Sequence, residues 1–427
     1  MRNLSKGEKS WIMYDWANSA YSTAITATIL PLYFKSIALK SGVSAASSTA
    51  YWGYSNSIAT LLIAILSPIL GTMADYKGYK MKLFNVFFIL GTSFTLLLSV
   101  VPTNYWLLII LFYILTSIGF SGSCIFYDAF LVDVSDNDNM DKVSSLGFGM
   151  GYIGSNIPFI LCILIIALAQ LKIIPISFFT ACKISFAITA LWWAIFTIPM
   201  IKNVKQTYAI NIEKHPARKS FLRLKSTLKD IKKHKQLFIF LLSYFFYIDG
   251  VNTIITMATS YGSDLGINST TMLVILLVMQ FIAFPFSIIF GMLAKKFQGK
   301  TMLYVGIVIY SIICVYSYFL RSTLDFWILA ILVGTSQGGI QALSRSYLGK
   351  LVPKNKANEF FGFYNIFGKF SAILGPFMVG IVSQVTGNSN KGVLSILVLF
   401  LIGGIILKKV PSYEKSEEES TVYSAQD

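Results

Sequence analysis

The stretch Gly71-Thr72-Met73-Ala74-Asp75-Tyr76-Lys77-Gly78-Tyr79-Lys80 follows the second long apolar run of the chain. Its frame returns at Gly291-Met292-Leu293-Ala294-Lys295-Lys296-Phe297-Gln298-Gly299-Lys300. One copy alone reads as an ordinary basic hairpin, in which glycines permit a tight turn and lysines hold the loop at one membrane face. Asp75 is placed to face a helix N-terminus, whose partial positive charge favours a carboxylate. The second G-x-x-A copy, 220 positions on, is degenerate because Lys295 stands where the first has Asp75. A loop repeated after the second and the eighth run marks a chain made of two similar halves.

Working outward from these loops, apolar runs of about 20 residues, enough to cross roughly 30 Å of hydrocarbon, recur along the sequence. Twelve spans are expected, near 12–38, 50–74, 83–101, 105–128, 146–170, 175–200, 237–260, 271–294, 301–320, 325–348, 359–385 and 392–409. Hydrophobic residues make up 55% of the chain and charged ones 13%, and mean hydropathy is +0.67, outside the soluble range. The first run is too long, and too polar at its start, for a cleaved signal peptide. The reading is an all-α polytopic membrane protein, with six-helix bundles over 1–200 and 237–410. Between them, 201–236 is a basic linker in which Phe221, Leu224, Leu228 and Ile231 recur at helical spacing, as on a helix lying at the cytoplasmic face. The end, 411–427, is acidic at Glu414 and Glu417 to Glu419 and reads as disordered.

The net charge of +16 invites a nucleic-acid reading, but its distribution opposes one. Outer loops carry only Lys35, Lys40, Lys172, Arg321 and Lys391, Lys183 and Lys369 lie inside apolar runs, and the rest fall on or near the opposite side. That bias places both termini in the cytoplasm. The four cysteines lie in apolar runs without metal-ligand spacing, and both histidines, His215 and His234, fall in the linker. Metal sites, cofactors and Ser/His or Cys/His catalysis are therefore not expected. Gly299-Lys300-Thr301 lacks the upstream glycine of a phosphate loop, since Ala294 stands there. An aspartyl enzyme built from Asp15, Asp128 and Asp249 fails on their unequal depths.

Two polar patches lie inside the apolar runs. In Tyr14-Asp15-Trp16-Ala17-Asn18-Ser19-Ala20-Tyr21 a carboxylate and a carboxamide three apart share one helix face. A charge at the bilayer centre costs about 2.5–3.5 kcal/mol on insertion scales, and a polar pathway is the usual reason to bear it. Asp249-Gly250-Val251-Asn252-Thr253 repeats the D-x-x-N-S/T pattern. With about 1.5 Å of rise per residue, Asp15, Asn18, Asp128, Arg345 and Glu359 fall in the cytoplasmic third, and Asp75 lies at the same face. These acids and the arginine are expected to form an inner gate, or else static ion pairs that pin helix ends. Asp249 lies about 20 Å into the seventh helix, so either the two D-x-x-N helices are offset or the likeness is partly chance.

Near the midplane fall Gln337 and Gln341, Asn365 and Lys369, Gln280, Asn156 and Ser121. Lys369 is tolerable there against Asp249 or a substrate carboxylate. A zwitterionic amino acid needs an anionic and a cationic anchor plus amides, which Asp249, Lys369, Asn252, Gln337 and Gln341 supply. The candidate binding set adds Thr253, Asn365, Asn18 and Tyr21. Gly147-x-Gly149-x-Gly151-x-x-Gly154 reads as close helix packing, and Asp136, Asp138 and Asp141 read as solvated loop.

The paired loops resemble the loop signature of the major facilitator superfamily, whose parallel repeats require six helices, a linker and six more. A more specific signature is Gly338-Gly339-Ile340-Gln341-Ala342-Leu343-Ser344-Arg345-Ser346, then Pro353, then Glu359-Phe360-Phe361-Gly362-Phe363-Tyr364. With the Tyr14–Tyr21 stretch, Phe126-Tyr127-Asp128-Ala129-Phe130 and Asp249-Gly250, it resembles the vacuole-effluxer branch related to autophagy-related protein 22. Fungal members are associated with moving amino acids out of the vacuole. The resemblance implies a twelve-helix alternating-access transporter of the major facilitator fold, exporting amino acids or similar small polar metabolites. Protons through Asp249 or Asp15 are the candidate coupling ion. The expected partners are a small-molecule substrate and the lipid bilayer, not nucleic acid, for a monomer in the plasma membrane. A lipid or amphiphile flippase, or a drug exporter, on the same scaffold is the rival.

Overall fold

Short polar side chains start the helices. Helix α1 (Lys6–Tyr21) begins after Ser5, whose hydroxyl accepts from the Glu8 amide (3.1 Å) while the Ser5 amide donates to the Glu8 carboxylate (2.6 Å). This reciprocal pair satisfies two N–H groups that have no preceding turn. Ser44, Asp136, Ser177 and Ser322 cap α3 (Ala45–Ala74), α6 (Asn137–Gln170), α7 (Phe178–Asn203) and α12 (Thr323–Leu351). Gly78, at φ 79°, turns the repeated loop into α4 (Tyr79–Leu97), a left-handed conformation that costs glycine no Cβ clash.

The computed structural model describes residues 4–212, 216–229, 234–264, 266–267, 269–371 and 373–410. These contain twelve helical segments long and apolar enough to cross a membrane, six before the linker and six after it. The first span runs from α1 through a π-helical stretch, Ser22–Thr28, into α2 (Ile29–Lys40). After α3 and α4 come α5 (Trp106–Val134), α6 and α7; α8 (Pro216–Lys229) belongs to the linker. The second set is α9 (Lys235–Asp264), α10 (Ser269–Phe297), α11 (Gly299–Tyr318), α12, the pair α13 (Ala357–Phe370) and α14 (Leu374–Thr386), and the pair α15 (Ser389–Ser395) and α16 (Leu397–Lys408). Several helices overrun their apolar runs, and α6 starts at Asn137 rather than near 146. Apolar residues mark only the lipid-crossing part, whereas backbone bonds and caps continue a helix into the polar boundary. The acidic end from Pro411, and Ile231 of the linker stripe, lie outside the described residues.

Small residues set the packing, as lipid requires. A Cβ added at Gly147, Gly151 or Gly154 of α6 would come within 2.5 Å of Asp15 Oδ2, 2.7 Å of Ser19 Oγ or 2.5 Å of Trp16 O, so this glycine row brings α1 against α6. The two sets of six meet along α3–α13 and along α6–α10–α12. At Gly71 an added Cβ would lie 2.4 Å from the Asn358 carbonyl, and at Gly291 it would lie 2.5 Å from Ser145 Cβ. Both contacts involve the repeated loop frame. The frame's glycines are thus where one half touches the other.

The linker runs back along the first loop, with the Ile210 amide donating to Asp75 O (2.9 Å) and the Lys77 amide to Ile210 O (3.0 Å). Helix α8 then packs on α3, with Arg223 reaching Asp75 at the end of α3, and Ser220 and Thr227 buried. Of the expected apolar stripe, Phe221 is 57% exposed and Leu224 packs partly buried against the core, while the side chains of Leu228 and Ile231 lie outside the described ones.

Candidate functional site

The loop end of the interface is held by charge. Arg345 of α12 reaches into the first half, with Nη2 3.0 Å from Asp15 Oδ2 on α1 and Nη1 3.1 Å from Asp128 Oδ1 on α5. Its Nε donates to Ser144 Oγ (3.0 Å) and Nη2 to Ser144 O (3.1 Å), both on α6. The guanidinium also lies 4.6 Å from the Trp11 ring centre and 4.4 Å from that of Phe148. Planar, always charged and ringed by aromatic faces, arginine suits a site with this little water. Gly147 is required beside it, since a side chain there would displace Asp15 or the guanidinium.

A second cluster seals α3 against α13. Asp75 Oδ1 accepts from the Asn358 backbone amide (3.0 Å) and side-chain amide (2.9 Å) at the start of α13, the helix N-terminus expected to face it. Arg223 of the linker helix bridges Asp75 Oδ2 (3.3 Å) and Glu359 Oε2 (3.4 Å), joining the linker to both halves. The five residues expected as one network are therefore two: Asp15, Asp128 and Arg345 in one, Asp75 and Glu359 in the other. No motif in the linker pointed to Arg223.

A third pair corrects the sequence reading. Asp141, expected in a solvated loop with Asp136 and Asp138, is 5% exposed and pairs with Lys350 Nζ (2.6 Å) while accepting from Ser346 Oγ (2.6 Å). Asp136 is the N-cap of α6, which puts Asp141 on the helix facing α12. The signal was available: Ser346 and Lys350 are one helical turn apart and so share a face. Within the first half, Lys80 pairs with Asp133 (2.5 Å), whose other oxygen accepts from the Thr207 and Tyr208 amides at the start of the linker.

Deeper in the second half, Asp249 does not pair with Lys369. Its Oδ1 accepts from the Gly375 amide (3.0 Å) and from Thr253 Oγ1 (3.3 Å), capping α14 where the eleventh span is interrupted. Its Oδ2 is buried without a partner. Any side chain at Gly375 would collide with Thr253 Oγ1, 1.9 Å from the added Cβ. Asn252 Nδ2 donates to Ser371 Oγ (3.4 Å) beside the same break. Asn365 turns back to its own helix, donating to Phe361 O (3.1 Å). Lys369, partly buried, has no ion-pair partner among the described residues. Gln337 Oε1 and Asn18 Nδ2 are buried and unpartnered, and Gln341 is partly buried. Tyr21 is fully buried, its ring stacked on Phe120 (4.5 Å) and close to Trp193 (5.3 Å), and its hydroxyl is buried without a hydrogen-bond partner.

Exposure changes along the eleventh span. Residues 357–364 are all buried, 365–369 partly so, and Phe370 is 41% exposed. Contact between the halves is thus tight at the loop end and relaxes toward the depth of Lys369.

A model of the family described as vacuole effluxer Atg22 like matches residues 5–420. The uncharacterized MFS-type transporter YxiO of Bacillus subtilis is 59% identical over 426 residues, covering 100% of this chain and 98% of the relative. Autophagy-related protein 22 of Vanderwaltozyma polyspora is 23% identical, covering 96% of this chain and 90% of that protein. Among solved structures, the human organic anion transporter MFSD10 (TETRAN) is similar with a TM-score of 0.72 at 10% identity, over 94% of this chain and 99% of that one. The MFS proton:xylose symporter XylE reaches 0.69 at 10% identity, over 95% and 96%. At such identities the likeness shows the fold, two six-helix halves of the major facilitator kind.

Proposed function

The chain belongs to the Atg22-like vacuole effluxer family and is a multi-pass membrane transporter of the major facilitator kind, and from that premise we propose that it exports amino acids or similar small polar metabolites by alternating access. The observation that carries the substrate class is the pair of unsatisfied charges in the second half. Lys369 has no ion-pair partner among the described residues, and Asp249 Oδ2 is buried without one. A cation and a carboxylate oxygen left unpaired inside a membrane protein are costly, and a zwitterion carries both complements. In this reading Asn252, Thr253, Gln337, Gln341, Asn365, Asn18 and Tyr21 supply the amide and hydroxyl groups, of which Gln337 Oε1, Asn18 Nδ2 and the Tyr21 hydroxyl are buried without a partner.

Asp15, Asp128 and Arg345, with Asp75 and Glu359, act in this reading as the gate on the loop side. Replacing buried ion pairs by apolar groups is often neutral or stabilising, so their use here fits a contact that must open and close. In this reading the charge bias supports a cytoplasmic loop side with both termini on it, and the protein works as a monomer in the plasma membrane. Proton coupling, if present, uses Asp249 or Asp15. The flippase alternative needs an apolar chamber open to lipid. Such a chamber is tested by the lysolipid arm of the experiment below.

The test is thermal unfolding of the purified, detergent-solubilised protein against amino acids, dipeptides, sugars and lysolipids, because a ligand of the folded state raises its stability as ln(1 + [L]/Kd). One amino-acid class should raise the midpoint, and Lys369→Ala and Asp249→Asn should abolish the rise with the fold intact. Amino-acid binding retained in both variants would sink the site assignment, and a response to lysolipids alone would favour the flippase.

A further inference from the structure

A groove of about 500 Å³ runs down the outer surface of the second half between α11 and α16, away from the interface of the halves. Its two ends differ chemically. Lys300 and Lys408 stand at the loop end, whereas Val308, Leu401 and Ile405, 54%, 54% and 65% exposed, line the course below. From Lys300 to Ser311 the groove follows α11 for roughly 16 Å, about half of the ~30 Å hydrocarbon thickness. It is one leaflet deep.

The lysine end is built rather than loosely basic. Lys300 Nζ donates to the carbonyls of Lys408 (3.5 Å) and Val410, which fixes it at the mouth and leaves one of its three N–H groups over. Among the described residues neither Lys300 nor Lys408 has a carboxylate partner. Tyr304 ties the floor by donating to Gly404 O (3.1 Å). Gly404 keeps the channel open, since a Cβ there would meet nothing nearer than Ile307 Cγ2 at 3.7 Å.

We propose that this groove is a binding site for an anionic phospholipid, with the phosphate headgroup between Lys300 and Lys408 and one acyl chain along α11 and α16. Basic pockets between membrane helices hold such headgroups. A neutral lipid fills the channel equally well but leaves two ammonium groups without a net counter-charge. The chain's own acidic stretch, Glu414 to Glu419, offers carboxylates and no apolar chain for the channel. Assigning the site to the cytoplasmic leaflet rests on the orientation proposed above; the binding itself does not.

The experiment is native mass spectrometry of the full chain in detergent, titrated with dioleoyl-phosphatidylglycerol or dioleoyl-phosphatidylcholine, where membrane orientation plays no part. The tightest site should prefer the glycerol lipid by on the order of 10-fold, as two lysines facing one phosphate give. The double variant Lys300→Gln, Lys408→Gln should lose that preference while still binding both lipids. Gly404→Leu, which fills the channel and leaves the charges, should weaken both lipids together. Equal affinities in the unaltered protein, a preference that survives the double variant, or unchanged binding in Gly404→Leu would each overturn the site. The two variants act on separate ends of the groove, so misfolding of one leaves the other to decide.

Discussion

Asp15-x-x-Asn18-Ser19 and Asp249-x-x-Asn252-Thr253 are the same short pattern in two halves of one chain, yet their carboxylates have opposite reach. Asp15 bonds across the molecule to Arg345 of the second half. Asp249 bonds within its own half, to the first turn of α14 and to Thr253 one helical turn on. What differs is the neighbour: a glycine row on α6 lets an arginine in beside Asp15, and a break in the eleventh span brings free amides to Asp249. A pattern of residue types fixes that a helix face is polar. The packing partner decides whether that face joins two bodies or shapes one.

Several changes would break or sharpen this contrast. The largest effect is expected for Arg345→Ala, which strands two buried carboxylates and should cost about 3–5 kcal/mol. The thermal midpoint in detergent should fall, and a cysteine placed at Ser145 in a cysteine-free background should become labelled from the loop side. A midpoint unchanged by the substitution would mean that the cluster is not a joint between the halves. Next comes Gly375→Ala, which forces Thr253 or Asp249 to move and should cost about 1–3 kcal/mol as overpacking does. Its effect should stay within the second half and leave Ser145 labelling as before; increased labelling would erase the distinction between the two aspartates.

The Asp75 cluster adds a pH dependence. Burial pushes the Asp75 carboxyl up to about 7, against the opposing pull of Asn358, Lys80 and Arg223 and with help from Glu359. A carboxyl raised in the folded, closed protein contributes stability that is complete below its ordinary value and lost as pH rises through about 7. The midpoint should therefore fall from about pH 5 to about pH 8 by an amount that Asp75→Asn removes. An identical slope in the variant would assign the dependence to other groups. A smaller effect than that of Arg345 is expected for Arg223→Ala, about 1–3 kcal/mol: its guanidinium is 20% exposed and its contacts are longer (3.3 and 3.4 Å), yet the Asp75 and Glu359 carboxylates it leaves behind are buried. A loss as large as that of Arg345→Ala would make the linker, rather than α12, the main fastening.

Spans and pairing of halves were legible because they rest on local signals, apolar length and a repeated loop. Asp15, Asp128 and Arg345 were also legible as a group, since charge at similar depth in lipid must find a counter-charge. Asp141 was missed because a run of acids resembles a loop until Asp136 is recognised as a cap. Arg223 was missed because one arginine among many linker lysines carries no mark of its partner. The Asp249–Lys369 pairing failed for a different reason: a helix break supplies backbone amides that compete for the carboxylate, and nothing in the residues from Ser371 to Ile373 announces the break. Tyr21 shares a helix face with polar residues, and while the rings of Phe120 and Trp193 pack on its own, its hydroxyl is left without a partner.

In the Arg345 cluster one guanidinium serves two carboxylates, and the three charges belong to opposite halves of the molecule. In the alternating-access cycle proposed above, the parting of the halves does not return the surplus evenly. One wall of the opening keeps Asp15 and Asp128 and becomes negative, while the facing wall keeps Arg345 and becomes positive. In the proposed cycle the fastening thus turns into a polarised corridor, and a solute carrying both signs of charge meets an opposite pole on either side as it enters from the loop side.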